Sequence, residues 1–474
     1  MAPDHRSARG LEARLGTKRQ FVDIAQGATG RKAPEPSKGN PKKTKGKLAA
    51  PALTAVELER RRKLERREVY ADQRHAAQLL WSADTTGRPG GVTLCGWTLI
   101  AKRDEVEVVR QTAPDKAPRA HLAGLQKCGL GWICPVCTRA KSEDARQKLN
   151  ALLSRGRREG WVMVMMTLTV RHDEDMPLAW LWQRVSQASD ELRRNHHWTR
   201  VLNPSLVGSV KAVEITHGEN GWHPHYHVVL AFRPGEVADE AEAIARVEVL
   251  RAAWMREIAA QGLTGNEHAF AVQGAAAAGN YLAKWGAAEE LSLGHAKSGR
   301  RGQRTPWQLL RASRDGDQEA SALWLDFVRV IKGTHQIRMT PGLRAMVKEE
   351  LERLDAERPV REEPKDVTLD RIERGEWMDT GRRRRVRLLE AAEARTRREA
   401  EREVWEVRHG IGTDRDLTDL VVIDDEDGPP QARPDHDEPE LRLEAIRRDR
   451  AEKRGRQRRE VLADLDRLDD MEGL

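Results

Sequence analysis

Between residues 161 and 288 the apolar pattern changes period repeatedly, and the order of those changes restricts the fold more than any other feature of the chain. WVMVMMTLTV (161–170) is an apolar run of strand length, rich in β-branched residues. LAWLWQRVSQASDELRRN (178–195) sets Leu178, Leu181, Trp182, Val185 and Leu192 at helical spacing. SLVGSVKAVEIT (205–216) and HYHVVLAF (225–232) read as strands on either side of a polar Gly/Asn turn. A helix is expected over 236–261, a short strand over 269–274 and a further helix over 275–288. The order β-α-β-β-α-β defines an α+β class. It is the split arrangement of ferredoxin-like and RRM-like folds, an antiparallel sheet with helices on one face.

The strand at 225–232 carries the strongest chemical signal. Strand side chains alternate faces, so His225 and His227 project from the same side and can ligate one cation. On the preceding strand Glu214 is a lone acid in an apolar run. With the hairpin loop near 217–224, Glu214 falls opposite His225 and offers an oxygen ligand. Two nitrogens and a carboxylate leave coordination positions open, as a catalytic metal requires. His217 and His223 are nearby reserves. Asp173, Glu174 and Asp175 follow the first strand and read as a polar connection.

Tyrosine is scarce: Tyr70, Tyr226 and Tyr281 are the whole complement. Tyr281 lies in GNYLAKWG, with Lys284 one helical turn on and on the same face. A phenol has a pKa near 10, so it becomes a nucleophile only where a metal or an ammonium favours its ionised form. The basic, Gly-rich run 295–307 follows. Its Arg300, Arg301 and Arg304, with Trp307 beyond them, suit phosphate contact and base stacking on single-stranded DNA.

All four cysteines, Cys95, Cys128, Cys134 and Cys137, fall within 43 residues of a 474-residue chain. That is too few for a disulfide scaffold, and the CPVC knuckle suits a closed, structural Zn²⁺ site. Cys95 sits in a strand-like stretch, GGVTLCGWTL. No apolar run approaches the roughly 20 residues that span a bilayer. The stretch MAPDHRSARG has no apolar core for a signal peptide, so the reducing cytoplasm is the expected compartment. The net charge of +8 is concentrated at the start: residues 1–50 hold 12 Lys and Arg against 4 Asp and Glu. A basic arm on a near-neutral body suits a polyanionic partner.

Three segments in order, TLTVRHD (167–173), GWHPHYHVVLAF (221–232) and YLAKW (281–285), resemble the motifs of rolling-circle replication initiators in the HUH endonuclease superfamily. The flanks LAGLQKCGLGWICPVCTRAK and RGQRTPWQLL resemble the initiators of actinobacterial plasmids and integrative elements. The resemblance covers roughly residues 90–345. It implies a metal-dependent nickase that cuts and rejoins single-stranded DNA at an origin. His225 and His227, with Glu214 as third ligand, would hold Mg²⁺ or Mn²⁺; two imidazoles also admit Zn²⁺ or Co²⁺ on affinity grounds. Tyr281 would form a 5′-phosphotyrosine link and leave a 3′-OH primer, and Lys284 would contact the phosphate or help ionise the phenol. Some relatives carry a glutamate one turn before the tyrosine; here that position is Ala277, and Glu289 and Glu290 are weak substitutes. A relaxase or a transposase would share this chemistry. A non-catalytic zinc DNA-binding regulator would explain the cysteines and the basic arm, but not the hairpin. Host helicase and polymerase are the implied protein partners, and no Walker-type loop suggests an intrinsic ATP-driven motor.

The expected organisation is a disordered basic tail (1–52), a lead helix with the four-cysteine zinc module (53–145), the endonuclease domain (146–345) and a charged helical or disordered region (346–474). The RRRR run at 382–385 is expected to begin a solvated or partner-binding helix, and most of the 14 tryptophans are expected in the core.

Overall fold

The computed structural model describes residues 54–83, 90–114, 116–274, 302–358, 364–381 and 384–411. The basic tail, Tyr281, Lys284, Ala277, Arg300, Arg301 and everything beyond 411 lie outside the described residues. The main elements in chain order begin with α1 (Ala55–Ala83), β1 (Glu105–Thr112), β2 (Arg119–Ala123), α2 (Pro135–Glu159) and β3 (Val162–Leu168). They continue with α3 (Leu178–Arg194), β4 (Leu206–Gly218), β5 (Gly221–Phe232), α4 (Glu240–Glu248), α5 (Leu250–Ala260) and β6 (Phe270–Gln273). After these come α6 (Pro306–Arg314), α7 (Gln318–Ile331), β7 (Ile337–Met339), α8 (Pro341–Ala356), β8 (Lys365–Glu373), α9 (Arg385–Ala392) and α10 (Arg397–His409).

The class is α+β, with two antiparallel sheets. The larger has the order β6-β3-β5-β4-β7, with every neighbouring pair antiparallel. Its first four strands follow the expected β-α-β-β-α-β connectivity; β7 is an added edge strand. The helix expected at 236–261 is divided at Val249 into α4 and α5.

Strand alternation sorts the larger sheet into two faces. On one, Val164, Met166, Leu168, Tyr226, Val228 and Leu230 pack under α3, α5, α6 and α7 in the main core. On the other, Met165, Val210 and Val229 meet Leu149 and Leu152 of α2 and Leu343 and Val347 of α8. The expectation of helices on one face is therefore corrected: the apolar residues on the second face also need cover. That cover spans only part of the face, because further along β4 and β5 the side chains become Glu214, His225 and His227.

The smaller sheet has the order β2-β1-β8. The charged helices expected after 345 are present as α8, α9 and α10, and a strand lies between them. Residues 365–373 form a strand paired with β1 across some 250 residues of chain, and α9 and α10 bury Leu388, Ala392 and Val404 against Val106, Val108 and Ile372. Arg385, from the run expected to begin a solvated or partner-binding helix, is 3% exposed. Its guanidinium lies 4.0 Å from the Tyr70 ring and 4.4 Å from the Trp97 ring, a double cation–π contact. The stretch around Cys95 is also not a strand: Gly91–Thr93 is a 3₁₀ turn, and only Leu99 makes a β-bridge, to Leu125. Trp198, Trp222, Trp254, Trp324 and Trp377 are core residues as expected. Among the described residues no helix is long and apolar enough to cross a membrane.

Candidate functional site

The β4–β5 hairpin turns tightly through Glu219 and Asn220, so its strands run further than the sequence suggests, to Gly218 and from Gly221. The register places Glu214 directly opposite His225 and Ala212 opposite His227. Glu214 Oε2 lies 3.1 Å from His225 Nε2 and 3.5 Å from His227 Nε2. The three donors lie within 4.8 Å of one another. Ligand bonds of about 2.0–2.2 Å to one ion put neighbouring donors about 3.0–3.6 Å apart, so the 3.1 and 3.5 Å separations fit a divalent cation. The imidazoles are 15% and 13% exposed, while the Glu214 side chain is 42% exposed; the site opens to solvent on the carboxylate side.

Burial works to raise the Glu214 carboxyl, but the hydrogen bonds from His225 and His227 outweigh it and hold the group well below the usual carboxylate range. Burial pushes the His227 imidazole down, opposed by Glu214. An ionised carboxylate beside an imidazole that resists protonation is the state a cation selects.

Thr167 Oγ1 lies 3.0 Å from His227 Nδ1. A cation at the triad would displace the proton from His227 Nε2; with Nδ1–H then held by Thr167, the ring would present its Nε2 lone pair to the metal, the outer-shell arrangement that fixes a metal-binding tautomer. Thr167→Val keeps the shape and removes the acceptor. It should weaken Mn²⁺ binding about 10- to 100-fold, measured by the loss of the free-ion EPR signal on titration.

The two reserve histidines divide. His217 packs edge-on to Trp222, with ring centroids 4.9 Å apart, on the sheet face away from the triad. His223 stays on the triad's face but bonds Thr169 Oγ1 at 3.2 Å and His172 Nε2 at 2.8 Å. Burial pushes His223 down to about 3, and burial also lowers His172. Asp173 and Asp175 form a turn, with the Asp175 N–H donating to Asp173 Oδ1 at 3.1 Å, and neither joins the triad. Arg304 pairs its backbone with His217, and its guanidinium donates to Asp317 at 3.1 Å; a phosphate contact there would have to share that charge. Thr167, Thr169 and His172 were not singled out from sequence, although Thr167 and Thr169 continue the period of Met165 on the triad's face.

Tyr226 points to the opposite side. Its hydroxyl lies 2.9 Å from Ser186 Oγ, and burial raises its pKa. Lys211, which burial pushes down to about 8, sits 3.8 Å from the Tyr226 ring centroid.

The four cysteines form a second cluster, with Sγ atoms within 4.8 Å of one another. Cys95 and Cys137 are 3.5 Å apart, Cys128 and Cys137 3.6 Å, and Cys134 and Cys95 3.7 Å. A tetrahedron with metal–sulfur bonds of about 2.3 Å has edges of about 3.8 Å, so this cluster could hold a metal ion. It sits in the main core beside Val92, Trp132 and Ile133.

Residues 120–248, which contain the histidine hairpin and three of the cysteines, match the model of a family described as a replication protein. The chain is 27% identical over 151 residues to a protein rep of Streptomyces lividans, covering 26% of this chain and 32% of that one. A protein rep of a Bacillus species is 27% identical over 144 residues, covering 29% and 41%. A neomycin resistance protein of Streptomyces cyanogenus is 28% identical over 137 residues, covering 23% and 30%. The chain thus spans about a third of the length of the relatives it matches. No solved structure matches. Over this region the chain is similar to a replication-protein family and to rep proteins of Streptomyces and Bacillus.

Proposed function

We propose that this chain initiates plasmid rolling-circle replication as a metal-dependent nicking and joining enzyme of the HUH type. The observation that carries the reading is the convergence of Glu214, His225 and His227 on one open patch of the central strands. The strand order β6-β3-β5-β4, that of a ferredoxin-like core, supports it.

Mg²⁺ or Mn²⁺ held by these three residues would supply polarisation of a scissile phosphate. Tyr281 is the nucleophile. Its Oη–P bond forms as the P–O3′ bond breaks; the phenolic proton is lost, and the leaving oxygen takes one up as the 3′-OH primer. Lys284 favours the ionised phenol or contacts the phosphate. Arg300, Arg301 and Arg304 contact the DNA backbone, host helicase and polymerase act downstream, and the cysteine cluster holds a structural Zn²⁺. Tyr281 follows Gly274 by seven residues, about 10 Å of rise in the expected helix. β6 lies two strands from β5, about 10 Å, a spacing of the same size, which supports the assignment.

The test incubates the full chain and Mn²⁺ with labelled single-stranded fragments tiling the region around its own gene, followed by denaturing electrophoresis. A covalent adduct that forms with Mn²⁺ and disappears with EDTA is the expected result. DNA binding that persists in EDTA, with no adduct on any fragment, would overturn the reading in favour of a DNA-binding regulator.

A further inference from the structure

The two histidines of the triad are held differently. His227 has its Nδ1 fixed by Thr167. His225 has its Nδ1 buried with no hydrogen-bond partner among the described residues. Among the described residues no outer hydrogen bond sets the orientation of the His225 ring. That ring is instead flanked edge-to-face by His227 on one side, at 4.8 Å between centroids, and by His223 on the other, at 4.9 Å and 86°.

His223 is itself pinned. His172 Nδ1 lies 2.8 Å from the Asn220 carbonyl oxygen, which can only accept, so this nitrogen carries the proton. In the neutral ring, His172 Nε2 then accepts from His223 Nδ1–H at 2.8 Å, and His223 Nε2 accepts from the Thr169 hydroxyl at 3.2 Å. The loop carrying His172 is pressed onto the hairpin at Gly221. A Cβ there would meet Asp173 O and Glu174 Cα at 2.7 Å, and Gly221 has φ +77°, so only glycine admits this approach.

We propose that His172 and His223 form a positioning clamp for His225, in which ring packing keeps Nε2 aimed at the cation site. The inference rests on the metal-dependent reading of the triad. It assigns the histidine of the first motif and the first histidine of the second motif to one task.

The test measures Mn²⁺ binding to the full chain by EPR, alongside adduct formation as a function of Mn²⁺ concentration. Mn²⁺ is the probe because soft thiolates bind it poorly, so the cysteine cluster does not interfere. His172→Ala should weaken Mn²⁺ binding about 10-fold or more, while adduct formation at saturating Mn²⁺ returns close to the wild-type rate. His172→Gln, whose amide can both donate to Asn220 and accept from His223, should restore most of the affinity. If His172→Ala fails to fold, Thr169→Val, which unpins the other side of His223, should give the same shift in Mn²⁺ affinity. Unchanged Mn²⁺ affinity in folded His172→Ala, or in Thr169→Val, would overturn the clamp and leave the metal reading standing. A wild-type chain that takes up no Mn²⁺ would overturn both.

Discussion

Tyr281→Phe is expected to abolish the covalent DNA adduct, whereas Tyr226→Phe should leave it intact. The contrast follows from what surrounds each phenol. Tyr226 lies between two proposed metal ligands in sequence, but strand alternation turns it to the opposite face of the sheet. There it is 2% exposed, its hydroxyl is bonded to Ser186, and its ring rests against Lys211 and Trp182. Burial raises its pKa, the reverse of what a nucleophile needs. Tyr70 stacks beneath Arg385 beside the smaller sheet. Removing the Tyr226 hydroxyl should cost about 1 kcal/mol of stability through one lost buried hydrogen bond. The wild-type adduct yield should remain below the melting transition. Phenylalanine at 281 has no oxygen with which to bond phosphorus, so the expected loss is complete. Denaturing gels with Mn²⁺ and labelled origin DNA read both variants. An adduct that persists in Tyr281→Phe would refute the assignment of the nucleophile.

The central sheet was legible because its strands are apolar, β-branched runs of strand length set between polar turns, and both faces are buried over much of their length. Alternation put His225 and His227 on one face; the pairing of Glu214 with His225 depends on the tight turn at Glu219 and Asn220, shorter than the loop expected over 217–224. The smaller sheet was not legible, for two physical reasons. EVEVVRQT and KDVTLDRIE each place charges along the strand, and Arg371 answers Glu105 and Glu107 across it; such segments look like solvated helix in a charged chain. Their pairing also joins positions some 250 residues apart, and local pattern carries no information about that. Arg385 misled for a related reason: a guanidinium can be buried between two aromatic rings, and sequence does not show the rings arriving. At the site, the ligands were visible as a cluster of imidazoles, but Thr167 and His172 were not. Their roles depend on which nitrogen of each neighbouring ring they meet, a property of the folded geometry alone.

Cys137→Ser should lower the melting temperature strongly and release one equivalent of Zn²⁺ per chain, without changing the Mn²⁺ affinity of chains that remain folded. The four sulfurs are spaced for a closed tetrahedron, which leaves no coordination position for substrate, so the expected contribution is to folding. Cys134 immediately precedes α2 and Cys137 lies in its first turn. The far half of α2 presses Leu149 and Leu152 onto the sheet face that carries the triad. The cation would therefore anchor one end of a helix whose other end backs the proposed active site. Structural zinc contributes about 10–16 kcal/mol in small finger peptides. In this larger core part of the structure holds without it, so a loss on the order of 5 kcal/mol is expected, or roughly 10–20 °C in melting temperature. Metal content by mass spectrometry and thermal unfolding by circular dichroism check the two halves of the prediction. If wild-type protein carries no zinc and Cys137→Ser melts with it, the cysteines are buried thiols, and the start of α2 is held by the packing of Trp132 and Ile133 alone.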